Sequence, residues 1–137
     1  MSAEADTLRG VYAAFNSGEA DGLDWIDPEI LFIQPDEAGG GQGTYHGVDG
    51  FLAGVGELTS TFEDFRIEVV DILDVRPGLV AALVRLQGHG RGSGVPIDQP
   101  FAHLVEFRAG RVVRWEARHD YRAALAELGV EAADRSP

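Results

Sequence analysis

Residues 99–121, QPFAHLVEFRAGRVVRWEARHDY, constrain the fold more than any other stretch of the chain. Apolar and polar residues alternate on both sides of Arg108-Ala109-Gly110. The segment therefore reads as two strands joined by a three-residue connection, with glycine where left-handed backbone is needed. In that hairpin His103 faces Trp115 and Phe101 faces Ala117. Phe101, His103, Val105, Phe107, Val113, Trp115, Ala117 and His119 share one face, which is apolar and aromatic. Ala102, Leu104, Glu106, Arg108, Val112, Arg114, Glu116 and Arg118 share the other, a charged face suited to water or a second subunit. The only ionisable side chains on the apolar face are His103 and His119. Such groups must be hydrogen-bonded, kept neutral or put to use.

The rest of the chain changes period once. Leu8, Val11, Tyr12 and Phe15 make a helical stripe over Glu4–Asn16, and Gly18 stops it. Leu23, Trp25 and Ile26 suggest a short helix over Glu19–Ile26, ended by Asp27-Pro28. Ile30–Gln34 reads as a brief strand. The glycine-rich PDEAGGGQGTYHG that follows predicts a mobile flap over Asp36–Thr44. Val48–Leu58 is a third helical segment, presenting Phe51, Leu52 and Val55. From Phe62 the period becomes two: Phe65, Ile67 and Val69 alternate with charged residues, and Val70–Val75 loses the alternation, as at a bulge. Arg76-Pro77-Gly78 turns the chain into a strand over Leu79 to about Gln87. A glycine-alternating hairpin tip over Gly88–Gly94 leads to the final hairpin. Tyr121–Leu128 is a terminal helix closed by Gly129, and 130–137 reads as a frayed tail.

Helices followed by an antiparallel meander predict an α+β domain, with helices across the concave face of a curved, mixed but antiparallel-rich sheet and a pocket between the layers. All 137 residues read as a single domain, with its core over 5–129. The net charge of −12 argues against nucleic acid and anionic membranes as partners. The acids are concentrated in residues 1–75, which hold 16 of them against two arginines. There is no cysteine, hence no disulfide or thiolate chemistry. All 11 basic residues are arginine, a usage typical of GC-rich bacterial genomes. MSAEADTLRG lacks the pattern of a secretory leader, and no run is long enough to span a bilayer, so the expected location is the cytoplasm.

The phrases YAAFNSGEADGL, GTYHGVDG, PFAHLVEFRAGRVVRWEARHDY and AALAELG, in that order, resemble the SnoaL-like branch of the nuclear transport factor 2-like superfamily, which includes ketosteroid isomerase-like and polyketide cyclase-like proteins. The resemblance implies a conical, cystatin-like α+β fold and a homodimer paired through the sheet. It also shows what is missing. Ketosteroid isomerases of this fold carry a carboxylate base where this chain has Gln34, a tyrosine where it has Val11 (Tyr12 is one residue away) and an aspartate donor where it has His103. The aspartate of SnoaL-type cyclases falls at Ala117. The arginine and aspartate of limonene-type epoxide hydrolases fall at Val84 and Leu86.

His103 and His119 are thus the candidate catalytic residues, as base, acid or hydrogen-bond donor. Gln34 is expected to bind a carbonyl or hydroxyl group. Val11, Tyr12, Phe51, Val84, Phe101, Trp115 and Ala117 are expected on the pocket wall. Two histidines without a third inward ligand make no metal site, His46 and His89 lying in loops, and no cofactor is implied. Two functions fit: an isomerase, cyclase or dehydratase acting by histidine acid/base chemistry on an apolar polyketide-, steroid- or terpenoid-like molecule, or a non-catalytic ligand-binding or dimerisation module.

Overall fold

The computed structural model describes residues 2–18, 24–34 and 43–129. Its elements run α1 (Ala3–Ser17), β1 (Ile26–Ile33), β2 (Thr44–His46), α2 (Gly47–Thr61), β3 (Phe62–Arg76), β4 (Leu79–Gly90), β5 (Pro96–Arg108), β6 (Arg111–Arg118) and α3 (Tyr121–Glu127). The six strands form one sheet in the order β2-β1-β6-β5-β4-β3. The β1–β6 pair is parallel and every other pair antiparallel. This is the mixed α+β architecture expected from the sequence.

Helix α1 begins where Ser2 caps it, its hydroxyl accepting from the Ala5 N–H at 3.0 Å. The Ser2 hydroxyl also bonds Asp74 on β3. At the other end Gly18 turns left-handed (φ 77°) and its N–H reaches the Ala14 and Phe15 carbonyls. Asn16 anchors this end to β3: its amide donates to the Ile67 carbonyl at 2.7 Å, and its oxygen accepts from the Ile67 N–H at 2.9 Å. The helix is therefore held at both ends over the sheet, with Leu8 and Tyr12 buried beneath it.

Several sequence expectations shift. Ile26 opens β1 and Asp24-Trp25 is a turn, so the short helix does not reach Ile26; its residues 19–23 lie outside the described residues. Strand β1 starts four residues earlier than expected and includes Pro28. Its ladder with β6 is broken between Ile26 and Leu31, and Pro28, which has no N–H to give, sits in that break. Most of the expected flap, 36–42, lies outside the described residues, while Thr44 belongs to β2. His46 is also in β2, and His89 is in β4 rather than a loop. Helix α2 runs three residues past Leu58 and enters β3 directly at Phe62. The expected bulge is present, with a register shift between Val69 and Asp71.

The final hairpin closes more tightly than the sequence suggests. Arg108 pairs with Arg111, leaving a two-residue turn in which Ala109 (φ 54°) and Gly110 (φ 79°) are both left-handed. Such a turn matches strand twist. His103 therefore faces Ala117, and Val105 faces Trp115. Because the offset is two residues, the faces are preserved. The exception is at the break between Glu106 and Phe107, where Val113 has no partner on β5. That bulge turns Val112, fully buried in the main core, inward in place of Val113.

The opposite face is not wholly left to solvent or a second subunit. Helix α3, capped by Asp120, lays Tyr121, Ala124 and Leu125 on Ala81, Leu83, Ala102 and Leu104, making a second small core. Arg118 reaches over it, holding Glu127 of α3 at 2.8 and 3.1 Å and Glu116 at 2.7 Å.

Candidate functional site

Between the sheet and helices α1 and α2 lies a cavity of about 420 Å³. The helices contribute Val11, Tyr12, Phe15, Phe51, Leu52 and Val55, and the strands Phe32, Phe65, Ile67, Leu86, Phe101, His103, Trp115 and Ala117. Among the described residues that line it there is no Asp, Glu or Arg. A charged ligand buried there would meet no counter-charge from these residues, so the described wall favours neutral molecules.

Its aromatic side chains hold one another in place. Trp115 meets Tyr12 edge-on at 5.8 Å between ring centres, and packs on His103 at 5.3 Å, Phe51 at 6.1 Å and Trp25 at 6.1 Å. Phe32 and Phe51 meet at 5.0 Å. Contacts of this kind add about 0.5–1.5 kcal/mol each beyond area burial. The wall is therefore pre-shaped.

His103 is the polar centre of this wall. It is 6% exposed, and its Nδ1 lies 2.7 Å from the Tyr12 hydroxyl, with the two rings stacked at 5.8 Å. Burial pushes the imidazole down to about 3 from its usual 6.5, and lifts the Tyr12 phenol well above its ordinary value. Both groups are neutral at physiological pH. The Tyr12 hydroxyl has no other hydrogen-bond partner among the described residues, and when it donates to Nδ1 the imidazole proton resides on Nε2. In that tautomer the pair offers an N–H donor at Nε2, rather than an imidazolium.

Gln34, immediately after β1, is 5% exposed and lines the same cavity. Its backbone N–H donates to the Gly43 carbonyl at 2.6 Å. Its side-chain nitrogen is buried with no hydrogen-bond partner among the described residues.

The structure brings together Val11, Tyr12, Gln34, Phe51, Phe101, His103, Trp115 and Ala117. It does not bring in the other two expected residues. Val84 is fully buried in the main core behind the lining. His119 follows β6 on the exposed side, its ring against Phe101 at 5.0 Å. Sequence reasoning missed Gln99 and Leu86. The alternation already placed Gln99 two residues before Phe101 on the inward face. No group of three or more His, Asp or Glu suited to a metal ion occurs among the described residues. No described helix is long and apolar enough to cross a membrane.

A family model for the SnoaL-like domain matches residues 8–115. IdmH, a putative polyketide cyclase from Streptomyces antibioticus, is 30% identical over 94% of this chain and 100% of its own, with a TM-score of 0.69. An NTF2-like protein of unknown function from Burkholderia pseudomallei superposes with a TM-score of 0.77 at 23% identity, covering 92% of this chain and 97% of its own. TerC, co-crystallised with polyporic acid, has a TM-score of 0.74 at 20% identity, covering 93% and 98%. No curated protein matches the chain in sequence.

Proposed function

The chain belongs to the family of SnoaL-like domains, and from that premise we propose that it is an enzyme acting on a neutral, apolar carbonyl compound, of the isomerase, cyclase or dehydratase type. The observation that carries this reading is the Tyr12–His103 pair on the wall of an otherwise uncharged aromatic cavity. All three reactions pass through an enol or enolate: the proton lost from carbon goes to a water molecule admitted with the substrate, since no described lining residue is a carboxylate, and the oxygen needs a donor already in place. A neutral imidazole with its proton on Nε2 supplies one, and Tyr12 fixes that tautomer from behind. The histidine then works as a hydrogen-bonding electrophile, a role that neutral imidazoles fill in other enolising enzymes. His119 is a second acid or base in this proposal only if the segment around it moves inward. The likeness to IdmH, a putative polyketide cyclase, supports the reaction class, and TerC with its polyporic acid supports a small-molecule ligand.

A second reading is favoured by one specific observation: the described lining has no carboxylate, with Gln34 and Ala117 at positions where relatives of this fold carry acids. In that case the cavity binds without turnover. Exchange of the hydrogens next to the carbonyl of 1-tetralone and of cyclohexanone in D2O separates the two. An enzyme accelerates exchange, and His103→Asn lowers that acceleration roughly a hundredfold. No acceleration by the wild-type chain with either ketone establishes the binding-only reading. Homodimerisation belongs to the same proposal. It rests on the pairing through the sheet that the resemblance implies, and sedimentation at micromolar concentration checks it.

A further inference from the structure

The carbonyls of Ser60, Thr61 and Phe62, three in succession where α2 runs into β3, all accept from one residue. Arg91, just after β4, donates from Nε to Ser60 at 2.9 Å, from Nη2 to Phe62 at 3.1 Å and from its backbone N–H to Thr61 at 3.0 Å. A helix leaves its last carbonyls unpaired, and a basic residue in the last turn or a left-handed glycine after it commonly satisfies them. Helix α2 has neither. Its last turn carries no basic side chain, and Phe62 follows in extended conformation (φ −126°, ψ 152°). The cap comes instead from a turn 31 residues beyond Ser60.

The corner held in this way is one rim of the cavity. Leu58, Phe62, Phe65 and Ile97 line it there, with the exposed Gln99 two residues further along β5. A bulge turns both phenylalanines inward. Residues three apart face opposite sides of a regular strand, but here Asp64 (φ 54°) and Phe65 together oppose Gly88. A Cβ on Gly88 would come within 2.9 Å of the Glu63 carbonyl oxygen, so the bulge needs glycine across from it. The Phe62 and Phe65 rings then stack at 5.7 Å. Val55 and Phe65 pack on the main core, whereas among the described residues Leu58 and Phe62 do not. Their place depends on the Phe65 ring and on what holds the backbone behind them. Arg91 holds it.

We infer that Arg91 is a positioning residue for the cavity: from outside the wall it fixes the α2–β3 corner, so that Leu58 and Phe62 close over a bound ligand. Its side chain is 56% exposed and takes no part in the lining, so it acts through those two residues. The fork matters more than the charge. A planar guanidinium bridges two carbonyls at fixed spacing, which the point charge of a lysine does not. Glu63 stands 3.8 Å from Arg91 and is itself half exposed, too weak a partner to draw the arginine from its carbonyls. This rests on the reading of the cavity as the ligand site, and adds what keeps a ligand in it. A rim that loosens lets a ligand escape sooner, so the effect belongs to the dissociation rate.

Stopped-flow fluorescence of Trp25 and Trp115, both in the cavity wall, reads the binding of 1-tetralone. Arg91→Ala should release tetralone about tenfold faster and bind it about tenfold more weakly. Its melting temperature should stay within about 4 °C of wild type, as suits an exposed side chain. Arg91→Lys should lie between the two, at about threefold. Wild-type dissociation in both variants overturns the positioning role and leaves the cavity reading standing. So does a lysine variant equal to wild type, or an affinity lost only together with the fold, the mark of an arginine that merely stabilises. If the wild-type chain itself does not bind tetralone, the proposed function falls, and hydrogen exchange decides the role of Arg91 by itself. Amides of residues 58–65 should then exchange about tenfold faster in Arg91→Ala than in wild type; equal exchange overturns the role.

Discussion

The Tyr12 hydroxyl lies 2.7 Å from Nδ1 of His103, linking helix α1 to strand β5 at the cavity wall. Neither residue has a charged neighbour in the described lining. The pair is thus a neutral hydrogen bond between buried groups, where removing one partner leaves the other unsatisfied. Its effect is on direction: it decides which ring nitrogen of His103 faces a ligand.

Tyr12→Phe removes that hydroxyl and keeps the ring. We expect a stability loss of about 1–3 kcal/mol, since Nδ1 is left buried and unpaired. We also expect a mixture of imidazole tautomers in place of one. Urea denaturation measures the first and nitrogen-15 spectra of the histidine rings the second. A variant as stable as wild type, with an unchanged tautomer, contradicts the hydrogen bond.

Stability should fall with acid through His103. Its folded pKa is lowered to about 3 from 6.5, so below pH 6.5 the unfolded chain binds a proton that the folded chain refuses. The contribution is complete above pH 6.5 and is lost as the pH drops toward 3. The slope is at most about 1.4 kcal/mol per pH unit. Urea unfolding at pH 7 and pH 5, with His103→Phe alongside, isolates it: the variant should show a shallower pH dependence than wild type.

Two glycines of α2 should respond in opposite directions to alanine. At Gly54 an added Cβ meets the Phe32 ring at 2.9 Å and the Tyr45 ring at 3.2 Å, whereas at Gly56 it meets nothing within 4 Å. Gly54→Ala forces α2 off β1 and should cost about 1–3 kcal/mol. Gly56→Ala should gain up to about 1 kcal/mol from helix propensity. Thermal melts of both variants check the pair, and equal shifts would refute this packing.

Ala117→Leu projects three extra carbons into the cavity rather than into packed core. Its stability should stay within about 1.5 kcal/mol of wild type, while binding of ring compounds is lost. A titration with 1-tetralone reads the effect; unchanged affinity places the ligand elsewhere.

The hairpin over 99–121 made the inward face legible, because a period of two survives an even error in register. His103, Phe101, Trp115 and Ala117 were therefore placed on the right face even though the pairing was off by two. The turn misled because Ala-Gly suits several loop lengths, and an alanine at positive φ is uncommon. Val112 escaped because it and Val113 are both valine, so the alternation there reads the same with or without a bulge. Val84 shares the inward parity with Leu86, but only depth along the strand separates core from cavity wall, and depth is not written in a repeat. The Tyr12–His103 bond joins residues 91 positions apart. Each was singled out alone, and only the packing of α1 over β5 could show them as a pair.

The state of His103 is measured directly by nitrogen-15 NMR of its imidazole between pH 5 and 8, with and without saturating 1-tetralone. The predicted result is a neutral ring with its proton on Nε2 throughout that range, whose Nε2 resonance shifts when the ketone binds. An imidazole that gains a proton as the pH falls through 6.5, or resonances unmoved by bound ketone, would contradict it.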